Sequence, residues 1–109
     1  MAQLVISSAS TEYVLAGVIA TIGGTVIDPT GDTVEMAFVA PGVTPSTGDW
    51  KTAGWEVNTV NQPHTYSVKC LVGPSGGTIT LTPAAYDVWV RIHDLPETPI
   101  KKAGQVRVF

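Results

Sequence analysis

The chain has 109 residues, enough to bury one hydrophobic core, so a single domain spanning residues 1–109 is expected. Its net charge of −3, with 14% charged residues and only six Lys plus Arg, disfavours a direct nucleic-acid binder. No apolar run reaches the roughly 18 residues of a membrane span, and the opening Met-Ala-Gln-Leu lacks the basic and apolar regions of a secretory leader, so synthesis in the cytoplasm is expected. Low charge on a chain rich in Thr, Val, Gly and Ala gives a surface that is easily desolvated, as suits a subunit packed against others.

In chain order, the pattern predicts strands and no helices. Residues 3–7 form a short apolar strand and 8–11 a small-residue turn. Residues 12–22 read as one longer strand, broken by Gly23-Gly24. Asp28-Pro29-Thr30-Gly31-Asp32 is a turn, because Pro presets φ and Gly accepts the positive φ that other residues resist. Residues 33–39 alternate, with Val34, Met36 and Phe38 on one face and Thr33, Glu35 and Ala37 on the other. Residues 41–49 are a Pro/Gly/Ser/Thr surface loop, and 50–60 a strand weakened by Gly54 and Asn58.

Residues 65–72 form a strand closed by Gly73-Pro74-Ser75-Gly76-Gly77, and 78–81 a short strand leading into a corner. From Tyr86 the alternation is strict: Tyr86, Val88, Val90 and Ile92 point one way, Asp87, Trp89 and Arg91 the other. A tyrosine at such a corner can bury its ring and return its hydroxyl to the preceding loop, as in immunoglobulin-like and fibronectin type III domains, which the corner resembles. Pro96 and Pro99 make 94–104 an extended connection, and 105–109 is the closing strand. The whole reads as an all-β, immunoglobulin-like (fibronectin III-like) antiparallel β-sandwich of about seven or eight strands. A single cysteine, Cys70, alternating with Tyr66, Val68 and Val72, reads as a buried structural thiol, and no inter-sheet disulfide is available.

Chemistry-bearing motifs are thin. His64 and His93 lie far apart without ligand spacing, no serine sits in Gly-x-Ser-x-Gly, and 73–77 lacks the Lys-Ser/Thr and helix of a phosphate loop. Asp28, Asp32 and Asp49 lie in loops and invite a calcium reading, but they lack an EF-hand ligand series and fit turn stabilisation better. No enzyme activity, cofactor or metal is expected.

Function then falls to the surface. If Tyr86, Val88, Val90 and Ile92 face inward, Trp89 faces outward, where a loop or a partner must cover it, and the sequence does not separate these. In the expected sandwich this strand is flanked by 33–39 and 105–109, with Val106 and Val108 inward. The outer face then combines Thr33, Glu35, Ala37, Trp89, Arg91, Gln105, Arg107 and Phe109, the candidate interface. The end strands 3–7 and 105–109 are also edges able to add to a neighbour's sheet.

Several segments carry a resemblance: Ser10-Thr11-Glu12-Tyr13-Val14, Val34-Glu35-Met36-Ala37-Phe38, Gly48-Asp49-Trp50 and Leu71-Val72-Gly73-Pro74 in the first two thirds, then Tyr86-Asp87-Val88-Trp89-Val90-Arg91-Ile92 and Pro96-Glu97-Thr98-Pro99-Ile100. Together they resemble a family of small proteins encoded in the virion-structure modules of tailed bacteriophages of actinobacteria, near the genes for major capsid and head-to-tail connector proteins. The resemblance implies a structural virion component, synthesised in the host cytoplasm. Its implied partners are capsid, portal/connector or tail subunits, with a symmetric homo-oligomeric ring as one arrangement. The head-to-tail (neck) region is favoured, and capsid decoration on the head exterior is the runner-up. A tail-associated carbohydrate-binding module, with Trp50, Trp55 and Trp89 as stacking platforms, is the reading from another class.

Overall fold

The computed structural model describes residues 4–18, 20–22, 25–27, 29–58, 65–93, 98 and 100–109. Nine strands form among them: β1 (Leu4–Ile6), β2 (Glu12–Val18), β3 (Ala20–Ile22), β4 (Thr25–Ile27), β5 (Thr33–Val39), β6 (Trp50–Asn58), β7 (Thr65–Val72), β8 (Ala84–His93) and β9 (Ile100–Val108). Seven of them join in one sheet of order β1-β9-β8-β5-β6-β7-β2, and β3 and β4 pair separately. Every pair in the large sheet is antiparallel except β1 with β9, which run parallel.

This corrects the expected immunoglobulin-like, fibronectin III-like sandwich: the strands form a single, nearly closed barrel. A sandwich needs two sheets that do not share hydrogen bonds, whereas here β6 belongs to both halves. Its first part pairs with β5 (Lys51 opposite Met36, Ala53 opposite Val34) and its second with β7 (Gly54 opposite Lys69, Trp55 opposite Val68). The handover falls between Ala53, the last residue paired with β5, and Gly54, the first paired with β7. The sequence reading saw Gly54 as a weakness in a strand, and it is where β6 passes from one partner to the other, making one sheet of two. The remaining opening lies between β2 and the β1/β9 edge, where β2 and β9 approach without pairing.

The interior is filled by side chains, as in any small barrel. Met36, Val68 and Val106 have no exposed surface, and Val34, Val72 and Cys70 almost none. Trp55 packs against this core and donates its indole N–H to the Asp32 carbonyl at 2.9 Å. At the corner before β8, the Tyr86 ring packs on the core and its hydroxyl donates to the Thr82 carbonyl at 2.7 Å. The corner signal is therefore real, but it is shared by a barrel and does not specify a sandwich.

Other boundaries also differ. Residues 12–22 make two strands, and 78–81 contribute only an isolated bridge from Ile79 to Val72. β9 begins at Ile100, inside the expected connection, and a bulge shifts its register so that Val88 faces Gly104 but Trp89 faces Lys102. β9 is not an edge, because β1 pairs along Val106 to Val108. Gly73, at φ +141, lies so close to the loop before β2 that a Cβ would stand 2.3 Å from the Ser10 carbonyl oxygen. His64, Asp28, Gly23-Gly24, Pro96 and Pro99 lie outside the described residues.

Candidate functional site

β8 lies between β5 and β9, and the register lines the candidate residues up on the outer wall. Asp87 sits between Val39 and Gln105, Trp89 between Ala37 and Lys102, Arg91 between Glu35 and Ile100, and His93 beside Thr33. On the far side of Ala37, β6 adds Trp50.

Much of this wall is engaged with itself. Ala37, between the two tryptophans, is fully buried, and Val39 is nearly so, which is why β5 is covered on both faces. Arg91 donates from Nε (3.0 Å) and Nη2 (2.7 Å) to Oε1 of Glu35, which His93 Nε2 also contacts, and its guanidinium stacks 4.5 Å above the Trp50 ring. The bond from His93, with those from Arg91, holds the Glu35 carboxyl below the usual carboxylate range despite its partial burial. Trp89 is partly buried, and its indole N–H is enclosed with no acceptor among the described residues.

Asp87 is the most buried polar residue described, with 1% exposure. Ala40, Pro41, Gly42 and Val43 make a turn closed by Val43 N–H to the Ala40 carbonyl (3.0 Å), with Gly42 at φ +82 as a type II turn requires. That turn aims the Gly42 N–H at Oδ2 of Asp87 (2.9 Å), while Gln105 donates to Oδ1 (3.0 Å) and Lys102 Nζ lies 3.2 Å from Oδ2. The Gly42 and Gln105 bonds, followed by Lys102, hold the Asp87 carboxyl below the usual range. The sequence reading gave Asp87 only its outward direction. The missed signal was Pro41-Gly42, whose free N–H needs an acceptor.

Of the eight candidate interface residues, Glu35, Ala37, Trp89 and Arg91 lie in this self-contacting wall, Gln105 is exposed but bonded to Asp87, and Thr33, Arg107 and Phe109 are exposed. Arg107 pairs in the sheet with Val5, both facing out, and Val106 and Val108 face in. Beyond the barrel opening, Tyr13 and Leu15 of β2 stand out from the wall at 51% and 46% exposure. Lys69 of β7 lies opposite Leu15 and 4.9 Å from the Tyr13 ring centre. A groove of about 320 Å³ runs beside them, lined by Tyr13, Gly54, Lys69, Leu71 and Thr78 among others. Tyr13 and Leu15 were not singled out from the sequence, because β2 carries apolar residues on both faces.

Little of the surface suggests bond-making chemistry. Among the described residues no cluster of three or more His, Cys, Asp or Glu is placed to hold a metal ion. The Asp49 carboxylate accepts from the Ser46 N–H (2.8 Å) and hydroxyl (3.0 Å) and so serves its loop, while at Asp32 it is the backbone N–H that closes a turn onto the Pro29 carbonyl (3.1 Å). Cys70 is buried, with Sγ 3.7 Å from the Thr52 carbonyl, and burial pushes its thiol pKa up, away from reactivity. No family model, curated protein or solved structure matches the chain.

Proposed function

We propose that the chain is a non-enzymatic structural subunit of a tailed-phage virion, acting by protein-protein contact in the head-to-tail region. The reading starts from the resemblance carried by the β2, β5 and β8 sequences. The observation that supports it most is where apolar surface is left uncovered. Seven large hydrophobic residues are exposed among the described residues, and five of them, Val5, Tyr13, Leu15, Ile100 and Phe109, lie on or next to the three strands bordering the barrel opening.

Apolar side chains left uncovered along one side of a small domain favour burial against a neighbour. Many copies in a symmetric particle turn one modest contact into firm attachment. Arg107, beside Val5, and Phe109 are the part of the candidate interface that the reading relies on, whereas Gln105 is bonded to Asp87. Glu35, Ala37, Trp89 and Arg91 are engaged within the chain and support the wall behind it.

The test is mass spectrometry of purified particles with absolute quantitation of the chain. A count of about five, six or twelve per particle fits a ring at the neck, and hundreds fit the runner-up, shell decoration. Absence of the chain from purified particles ends the reading.

A further inference from the structure

The strands around the barrel opening differ in charge from the chain as a whole. Inward positions are fixed by the buried residues Ile6, Val14, Ala16, Val68, Cys70, Val72, Val106 and Val108, so the alternate positions face out. The outward positions of β9, β1, β2 and β7 carry Lys102, Arg107 and Lys69 and no carboxylate. Glu12, the one acid on these four strands, shares the register of Val14 yet is exposed at the start of β2, and Lys101, opposite Val90, is exposed as well, so the strands present four cations against one carboxylate. A protein of net charge −3 thus presents a basic, apolar strip.

From this strip we infer that the open side of the barrel binds an acidic, apolar-flanked segment of a different protein, a partner chemistry that rests on the contact reading above. Lys102 is already bonded to Asp87, and Lys69 lies 3.7 Å from Glu56, so each is partly neutralised. Arg107 has no ion pair among the described residues, is exposed, and stands directly beside exposed Val5. A carboxylate on the partner completes Arg107 in bidentate geometry while its neighbours cover Val5, Tyr13 and Leu15. A second copy docking by two-fold symmetry brings basic strip against basic strip, which disfavours it as the occupant.

The test uses the full chain, isotope-labelled, titrated with a capped Glu-Val-Glu-Leu-Glu-Val peptide and its Gln-for-Glu counterpart. The expected result is amide shifts at Val5, Tyr13, Leu15 and Arg107 with the Glu peptide, and roughly tenfold weaker binding of the Gln peptide. Arg107→Glu should abolish the difference and Arg107→Gln reduce it, each with the dispersed spectrum of the folded parent. Equal affinity for the two peptides, or shifts confined to other surfaces, overturns the inference. So does an oligothymidylate that binds the strip as well as the Glu peptide. In particles, exclusion of Leu15→Asp with normal incorporation of Arg107→Glu removes the acidic partner and leaves the contact reading standing, whereas normal incorporation of both removes both.

Discussion

Replacing Trp89 with alanine separates a residue that holds its own domain together from one reserved for a partner. Trp89 lies between Ala37 and Lys102 in the sheet, is partly buried, and has an enclosed indole N–H without an acceptor among the described residues. Truncating a buried aromatic costs about 3–5 kcal/mol, less where the ring is partly exposed. Removing an unsatisfied buried N–H returns about 1 kcal/mol. The expected net destabilisation is therefore about 2 kcal/mol, which for a domain of this size lowers Tm by about 8–15 °C. Trp89→Phe keeps most of the packing and discards the orphaned donor, so its stability should stay within about 1 kcal/mol of the parent. Urea unfolding followed by circular dichroism measures both. If Trp89→Ala unfolds at the parental midpoint, the ring contributes nothing inside the monomer, and the self-contacting wall is the wrong description of this face.

Acid should weaken the fold through the two tethered carboxylates. Both Glu35 and Asp87 are held below their ordinary values, so their contribution is present above about pH 4–4.5 and is lost as pH falls through the lowered folded values. Calorimetry should give a flat Tm from neutrality to about pH 5 and a decline below about pH 4, with Asp87→Asn less stable at neutrality but shallower in its acid decline. A parallel decline in the variant contradicts the assignment. Gly73→Ala forces a Cβ to 2.3 Å from the Ser10 carbonyl oxygen at a φ that suits only glycine, and should cost at least about 2 kcal/mol in denaturant unfolding; an unchanged midpoint would falsify that close approach. Tyr86→Phe removes the hydroxyl bond to Thr82 and should cost about 1 kcal/mol by the same assay.

The parts of the fold legible in the sequence were those written in local alternation. β5 and β7 carry period-two patterns strong enough to fix both ends, whereas the turn that the Asp32 N–H closes onto the Pro29 carbonyl forms without the positive φ expected of Gly31. The neighbours of β8 were also legible, since corner topology puts the same strands beside it in either architecture. What a local pattern does not encode is which strand shares hydrogen bonds with which. The choice of barrel over sandwich depends on β6 changing partners at Gly54, a long-range event marked by one glycine that reads equally as a defect.

The surface was harder to read for a related reason. Alternation correctly turned Trp89 and Arg91 outward, yet outward positions in β8 are covered by Ala37, Trp50 and the Gly42 turn from elsewhere in the chain. In β2, with Tyr13, Val14, Leu15 and Ala16 in succession, no polar residue marks the outer face. The exposed pair Tyr13 and Leu15 emerges only once β7 fixes the register.

Incorporation of single-site variants into particles tests the proposed contact most directly, with Leu15→Asp at the barrel opening set against Thr33→Asp on the outer wall, both being exposed positions. Each folded variant is expressed in place of the parent chain and quantified in purified particles. Loss of Leu15→Asp with parental levels of Thr33→Asp is the predicted result. Parental incorporation of Leu15→Asp, or loss of Thr33→Asp instead, contradicts it.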